Sequence, residues 1–551
     1  MPRYGIALDL GTSGIRGQAI DLDSKEVLST VITSRHPLPG ANIMDQMNFA
    51  IEAGQDITHD IHISAVNQVI SALGVPQESC ERLAVCGNPI QLSFFEEIEI
   101  RDLAYAGENK KRILGIQSPN RDAKIKPAKE IRNLAVPAHC TVYIPPAVRH
   151  EIGADALALM VKSGMLEKDE ISLAVDYGTN AEMALKVGNR IITGSAAAGP
   201  ALEGQQISRG MLAAPGAVSD INPEGDFWRC SVLNDAILPV DGPLVDLDGG
   251  TVKDQGSRIP LGITGTGVIS LLNQGMEDGF IKLPKILTKE KTLGIGFGIS
   301  FTEADLVEAG KAIGAIRAGY LTLAKEAGIE ISQIKSAYMA GASGTYVDAR
   351  KAFSIGMVPP KAKTIYQIGN TSLSLAKDIV LNPDVLGELQ GLVKSLRANH
   401  CMFAESDAFQ KAYLLELSYW GEGMPWEQFQ KFIGIYGLPS LPPTAMSVNV
   451  NKVVSRDIAD LGREGLRVIE KVGIECSHTF QDCTACEECV IACPEKALSM
   501  ERTTDKAVLR LRMDRCSGTA CLRCERACPR KGFKFVDLCF KGSGDPKLSK
   551  E

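Results

Sequence analysis

At 551 residues the chain is long enough for about three or four domains, and its 45 % hydrophobic content supplies a core for each. A net charge of −7 leaves no basic footprint for nucleic acid, and no apolar run approaches the roughly 20 residues that span a bilayer. The start, Met1-Pro2-Arg3, runs into an apolar stretch without the charged and hydrophobic regions of a secretory leader, so a cytoplasmic protein is expected.

Residues 4–34 read as strand, turn, strand, turn, strand: Tyr4–Leu10, the turn Gly11-Thr12-Ser13-Gly14, Ile15–Asp21, then Val27–Ser34. The acid at the end of the first strand opens Asp9-Leu-Gly-Thr-Ser-Gly-Ile-Arg-Gly17. A hairpin of this kind offers N–H groups and hydroxyls to phosphate oxygens, while its carboxylate can hold Mg2+ or a water on it. Taken alone the motif is weak, because glycine-rich hairpins are common. Further on, Ile57–Leu73 has helical character and Arg82–Val85 reads as a short strand. Arg101–Glu130, rich in charge, Pro and Asn, is expected to be an exposed excursion.

The opening pattern then returns. Ile171–Asp176 is a second apolar strand leading into Asp176-Tyr-Gly-Thr-Asn-Ala-Glu182, with Ala181–Val187 and Arg190–Gly194 completing another three-strand meander. Two such hairpins imply two similar α/β lobes facing each other across a cleft, the arrangement of actin-like and sugar-kinase-like ATPases. ATP binding is therefore expected. Asp248-Gly-Gly-Thr251 is a look-alike without a meander behind it and is read as a surface turn.

Small residues at Gly194–Gly204 allow close approach of backbone or ligand. Gly262-Ile-Thr-Gly265-Thr-Gly267 opens a helix, either as an anion-facing N-terminus or as a tight turn. Thr302-x-x-Asp305 is a capping-box start for a long helix ending near Glu326. The strand Ile334–Met339 ends in Gly341-Ala-Ser-Gly344, where an adenine or ribose could lie against the backbone, unless the glycines only make a turn. Residues 346–436 look largely helical, Gly437–Pro443 reads as a linker, and a helix is expected near Asp457–Lys471.

The most specific motif comes last: Cys483-x2-Cys486-x2-Cys489-x3-Cys493-Pro494, then Cys516-x4-Cys521-x2-Cys524-x3-Cys528-Pro529. The first run has the bacterial ferredoxin spacing, and in such pairs the fourth cysteine ligates the other cluster. Cys483, Cys486, Cys489 and Cys528 are thus expected to hold one [4Fe–4S] cluster, and Cys516, Cys521, Cys524 and Cys493 a second. Zinc ribbons use separated C-x2-C pairs instead, and a disulfide scaffold implies secretion. The other seven cysteines (80, 86, 140, 230, 401, 476 and 539) and the seven histidines sit in no motif and read as ordinary residues. The expected domains are 1–168, a first lobe with an insertion; 169–436, a second lobe with a helical extension; 437–473, a linker and helix; 474–541, the two-cluster domain; and 542–551, a polar tail.

An ATPase with two phosphate hairpins ahead of a two-cluster ferredoxin resembles the reductive activators of corrinoid-dependent methyltransferases, in particular the type serving methylamine methyltransferases in methanogens. The residues that carry the resemblance are Asp9–Gly17, Asp176–Glu182, Ala198–Gly204, Gly262–Gly267, Ala340–Gly344 and the eight cluster cysteines. It implies an actin/hexokinase-like (ASKHA) core followed by a bacterial-type ferredoxin domain. The activity it implies is re-reduction of a partner corrinoid protein from Co(II) to Co(I), driven with ATP and Mg2+ and fed by an upstream low-potential electron donor. In that role Asp9 and Asp176 position Mg2+ and water, and Glu182 orients the attacking water. Gly11, Thr12, Ser13, Gly178, Thr179 and Asn180 meet phosphate, and Gly265, Gly341 and Gly344 face the nucleotide. The alternatives are an activator of another low-potential enzyme, similar to the dehydratase activators, a small-molecule kinase with an appended ferredoxin, and a non-enzymatic electron carrier.

Overall fold

The computed structural model describes residues 3–538 apart from 41, 106–107, 149–151, 179, 205, 212, 397–398, 494, 503–506, 520 and 536. Thr179, Cys539 and the tail 542–551 thus lie outside the described residues. The chain forms two compact units, one of Met1–His150, Ala376–Gln390 and Leu461–Glu551, the other of Glu151–Leu375 and Gly391–Asp460. These units are not drawn at the sequential boundaries expected from composition. The chain crosses back after its second lobe has begun, because Arg82 donates to the carbonyl of Val380 at 2.9 Å and Gly5 leaves room for the Val380 side chain.

The first unit is built on β1 (Tyr4–Leu10), β2 (Ile15–Asp21), β3 (Val27–Thr33), α1 (Ile43–Ala53), α2 (Gln55–Ala72), β4 (Cys80–Gly87), α3 (Pro89–Glu96), β5 (Lys124–Pro127) and β6 (Thr141–Ile144). Its seven-stranded sheet runs Leu466–Ile469, β3, β2, β1, β4, β6, β5. β1 is buried on both faces, as its near-continuous apolar sequence requires. Residues 101–130 are less exposed than expected. Lys124–Pro127 supplies the sheet edge, and Asp102 is buried under a bidentate pair with Arg121 at 2.7 and 3.0 Å.

The second unit repeats the plan. β7 (Ser172–Tyr177), β8 (Ala181–Val187) and β9 (Arg190–Ala196) form the meander, and the sheet continues from β7 through Ser336–Ala340, Thr364–Gly369 and Asn449–Lys452. In each unit the first strand of the meander pairs antiparallel with its successor and parallel with a later strand. Helix Glu303–Ala327 starts at the Thr302/Asp305 capping box, as read from the sequence. Gly310 and Gly314 let it approach helix Asp407–Glu422 so closely that added Cβ atoms would lie 2.6 Å from Trp420 and 2.7 Å from Glu416. One turn on, Arg317 closes this contact with a bidentate, buried pair to Glu416, both bonds 2.6 Å.

Two expectations fail locally, and one sheet appears that the sequence did not announce. Residues 217–263 hold a five-stranded sheet that includes Ala217–Glu224, Phe227–Leu233 and Pro239–Val245. Asp248–Thr251 is, as expected, a turn in it, closed by the Gly250 N–H on the Asp246 carbonyl at 2.7 Å. Thr364–Gly369 is a strand inside the region read as helical. The helix expected near 457–471 is absent; Leu466–Ile469 is an edge strand, parallel to β3. Pairing to a waiting sheet edge overrides weak local preference there. Among the described residues no helix is long and apolar enough to cross a membrane.

The cysteine module packs into the first unit's core. Its three-stranded antiparallel sheet, Glu475–Thr479, Ala507–Arg512 and Leu498–Arg502, contributes Leu498, Leu509 and Leu511 to one apolar cluster with Leu38, Phe49 and Phe94. Behind this core lie three buried histidines. His36 and His62 stack with ring centroids 5.8 Å apart, and both ring nitrogens of His62 are buried without a hydrogen-bond partner. Burial pushes His36 down to about 4 and holds His62 well below the usual imidazole range.

Both rings are therefore neutral when folded and protonated when unfolded below about 6.5, so the unfolded state binds more protons and stability is lost as pH falls from about 6.5 toward 4. The His62→Leu variant is expected to gain about 1–2 kcal/mol at pH 7, since it removes two unpartnered buried groups. It should also lose less stability between pH 7 and 5. Anaerobic calorimetry of both proteins at the two pH values checks this; an equal acid-induced drop in Tm would contradict it.

Candidate functional site

In the first hairpin, antiparallel register sets Asp9 of β1 opposite Arg16 of β2. Asp9 is only 4 % exposed, and Arg16 Nη1 donates to its Oδ2 at 3.1 Å. The loop is closed by Gly11 N–H on the Gly14 carbonyl, 3.1 Å, and Gly14 N–H on the Gly11 carbonyl, 3.3 Å. Thr12 and Ser13 form the tip. Thr12 is held from two sides: Gln46 Nε2 donates to its carbonyl at 2.9 Å, and Asn88 Nδ2 donates to its Oγ1 at 3.1 Å. With its oxygen accepting from Asn88, the hydroxyl proton is directed elsewhere, as contact with an anion requires. Asn88 is itself fixed, because its Oδ1 caps α3 by accepting from Ile90 and Gln91 N–H. Sequence reasoning gave Arg16 no role; its place opposite Asp9 follows only once the register is known.

In the second hairpin, Asp176 of β7 faces Glu182 of β8 across the same kind of pair. Glu182 is buried and Ser195 Oγ donates to it at 3.5 Å. Burial raises its carboxyl well above the usual range, and the charges of Asp155 and Asp176 add to the rise. Asp155, in the first turn of helix Ala154–Lys162, is a carboxylate that no motif revealed. Gly178 N–H closes the turn on the Asn180 carbonyl at 3.2 Å. Gly341 stands at φ +75°, and an added Cβ would lie 2.4 Å from Asp176 Oδ1, so glycine there makes room for the carboxylate.

The other glycine stretches converge within the second unit. Helix Gly265–Glu277 is capped by Thr264 Oγ1, which accepts from Gly267 N–H at 3.0 Å. A Cβ on Gly265 would meet the Leu202 carbonyl at 2.0 Å, and Ser343 Oγ donates to that same carbonyl at 2.9 Å. The small-residue run, the start of helix Gly265–Glu277 and the short helix Gly341–Tyr346 thus meet at Leu202. Gly344 packs against Met339, and its carbonyl accepts from Gln367 Nε2 at 2.7 Å.

The eight cysteines line two cavities. One is walled by Cys483, Cys486, Cys489 and Cys528 with Leu509 and Phe533; the other by Cys493, Cys516, Cys521 and Cys524 with Leu511 and Phe535. The fourth cysteine of each run crosses to the other set. Ala485 and Glu487 in the first run and Leu522 in the second take left-handed conformations, which curl the chain around each cavity. Gly518 N–H donates to Cys516 Sγ and Ala497 N–H to Cys493 Sγ, each at 3.3 Å. Burial pushes the Cys489 thiol up to about 11 and those of Cys516 and Cys524 up to about 12. Among the described residues no three His, Cys, Asp or Glu side chains converge on a single-ion site. Thiols spread around a cavity fit a multi-iron core better than one ion.

Comparison with known proteins divides the chain into three consecutive regions. Residues 170–430 match the C-terminal, ASKHA domain of RACo, residues 4–168 the RACo middle region, and residues 482–531 the 4Fe-4S dicluster domain. The chain is 49 % identical over 518 residues to the [Co(II) methylated amine-specific corrinoid protein] reductase of Methanosarcina barkeri, covering 94 % of this chain and 96 % of that protein. It is 23 % identical over 454 residues to the corrinoid activation enzyme RamQ of Eubacterium limosum, covering 75 % and 70 % of the two. A solved reductive activator for corrinoid, iron-sulfur protein superposes with a TM-score of 0.62 at 25 % identity, over 76 % of this chain and 66 % of its own length. An ASKHA core, a dicluster ferredoxin domain and near-complete coverage of a relative at this identity place the chain in the family of corrinoid-protein reductive activators.

Proposed function

We propose that this protein reduces the cobalt of a corrinoid protein from Co(II) to Co(I) in an ATP-dependent step, for a methylated-amine methyltransferase system. The observation that carries the reading is that a phosphate-type hairpin and two four-thiol cavities belong to one compact unit. The relative's stated action on the Co(II) form of a methylated amine-specific corrinoid protein supports the choice of acceptor.

In the first unit Asp9 would hold Mg2+, with Arg16 balancing the carboxylate when no cation is present; in the second unit Asp176 is the corresponding carboxylate. Gly11, Thr12 and Ser13 would meet phosphate in the first unit, and Gly178, Thr179 and Asn180 are the corresponding phosphate contacts of the second. Gly265, Gly341 and Gly344 serve the adenosine side through backbone, Gly341 by admitting Asp176. Glu182 orients the attacking water as a hydrogen-bonding group; its raised range makes it a poor base until a cation neutralises the aspartates around it. Cys483, Cys486, Cys489 and Cys528 hold one [4Fe–4S] cluster, and Cys493, Cys516, Cys521 and Cys524 a second. Such clusters supply one-electron transfer at potentials between about −700 and +450 mV. Every 59 mV by which donor falls short of acceptor is about a tenfold loss in equilibrium constant for one electron, so a low-potential donor must fill the module and ATP must shift the balance. ATP shifts it only by favouring a state of the complex in which transfer runs downhill.

Mixing the reduced protein anaerobically with a Co(II) methyltransferase corrinoid protein, and following the cobalt spectrum, tests the reading. Co(I) is expected only with Mg·ATP. ATP hydrolysis with no Co(I) would mean that another low-potential enzyme is the acceptor. Asp9→Asn and Asp176→Asn are each expected to lower ATP turnover by about a hundredfold or more, as loss of a water- or proton-positioning carboxylate does. Crossed ligation predicts that Cys528→Ser disturbs the cluster of Cys483, Cys486 and Cys489, and that Cys493→Ser disturbs the other. Each variant should retain roughly half of the iron and one of two electron paramagnetic resonance signals. If Cys528→Ser instead erased the signal belonging to Cys516, Cys521 and Cys524, ligation would not be crossed.

A further inference from the structure

Residues 33–40 run from the phosphate hairpin to the cysteine module, and a buried chain of hydrogen bonds follows them. At the hairpin end, Thr33 Oγ1 accepts from Ile15 N–H at 2.8 Å, beside Gly14, whose added Cβ would lie 2.8 Å from that oxygen. At the module end, Gly40 N–H donates to the Cys516 carbonyl at 2.8 Å, and Arg35 Nη1 lies 3.8 Å from Glu495, which lines the same cavity as Cys516.

Between these ends the bonds have one polarity. His36 Nδ1 accepts from Leu38 N–H at 3.2 Å, so the neutral ring carries its proton on Nε2 and donates to Gln91 Oε1 at 2.9 Å. That fixes the Gln91 amide, whose Nε2 donates to Gln46 Oε1 at 2.6 Å. Gln46 Nε2 in turn donates to the carbonyl of Thr12 at the hairpin tip, 2.9 Å. His36, Gln46 and Gln91 are 5 %, 1 % and 0 % exposed, so water cannot replace a partner that moves away. A peptide that shifts at Thr12 on meeting phosphate must therefore draw the chain along with it or break it.

The far end bears on a cluster ligand. The turn that follows Cys516 carries the Gly518 N–H that donates to Cys516 Sγ at 3.3 Å, and Gly518 faces Gly40: a Cβ added to Gly518 would lie 3.7 Å from the Gly40 nitrogen. Hydrogen bonds to the ligating sulfurs are among the terms that set a cluster's potential. We infer that Gln46, Gln91 and His36 are positioning residues that couple nucleotide occupancy at Thr12–Ser13 to the reduction potential of the cluster held by Cys493, Cys516, Cys521 and Cys524. The inference rests on the reading above, in which the hairpin takes ATP phosphate and the cavity holds an iron–sulfur cluster. The other cluster is not reached by this chain, and Cys486 in its wall is exposed. By linkage, nucleotide must then bind the oxidised and reduced protein with different affinities, in the same ratio as the potential shifts.

The test is an anaerobic, spectroscopically monitored redox titration of both clusters in the whole protein, alone and with the non-hydrolysable probe Mg·AMPPNP. Calorimetry measures binding of the same probe in parallel. One cluster is expected to shift and the other to stay; a tenfold affinity ratio between redox states would appear as about 59 mV in a one-electron couple. Gln91→Met, which touches no part of the hairpin, should still bind the probe while the shift disappears. A shift that survives in Gln91→Met overturns the inference. So does a wild-type protein that binds the probe with no shift in either cluster, which leaves the ATP reading standing. Failure of the wild type to bind the probe overturns that reading and the inference with it. Should Gln91→Met not fold, hydrogen exchange of the Leu38 and Gly40 amides in the wild type decides: probe binding must change their protection, and unchanged protection overturns the inference.

Discussion

An apolar core that Leu38, Phe49 and Phe94 share with Leu498, Leu511 and Phe535 fixes the cysteine module on the unit that carries Asp9. Without it the module would be a ferredoxin on a tether, free to sample many orientations. With it, the second four-thiol cavity keeps a set relation to the hairpin, down to a backbone bond between Gly40 and Cys516. The expected picture of an ATPase followed by a linker and a separate ferredoxin therefore changes. The segment 461–473 is no simple spacer; it adds a strand to the hairpin's own sheet before the module begins. Burial of this kind resists separation because each large apolar side chain removed from water contributes about 1.5–3 kcal/mol.

The two hairpins share a backbone plan and differ in electrostatics. Asp9 is balanced by Arg16 across the strand pair, whereas Asp176 faces the buried Glu182 with Asp155 nearby. The second site therefore gathers three acidic side chains, Asp155, Asp176 and Glu182, whose mutual repulsion a divalent cation would relieve.

Much of this was legible in the sequence, for identifiable reasons. The two meanders show because both β1 and β7 are apolar strands ending in Asp before a Gly-Thr turn, a pattern that local chemistry dictates. The capping box at Thr302 and the crossed cysteine sets are likewise carried by spacing alone. What stayed hidden depends on pairing between distant segments. Leu466–Ile469 has charge on one face and reads poorly as a strand until β3 offers an edge. The strands of 217–263 contain Pro223, Pro239 and Pro243, which local rules take as loop punctuation. Arg16 acquires meaning only from the register that sets it opposite Asp9, and Gly341 from the nearness of Asp176. Nothing local in His36, Gln46 or Gln91 announces that three buried polar side chains line up between Thr12 and Gly40.

In the proposed reaction, nucleotide chemistry at the hairpin governs electron delivery by the cysteine module rather than filling of the module. The most direct measurement takes the Asp9→Asn variant, reduces its clusters chemically, and mixes it with Co(II) corrinoid protein and Mg·ATP in an anaerobic stopped-flow instrument. In the proposed reaction the iron–sulfur module then fills to the wild-type level while the Co(I) band fails to appear. Appearance of Co(I) at the wild-type rate from a variant that cannot turn over ATP would contradict it.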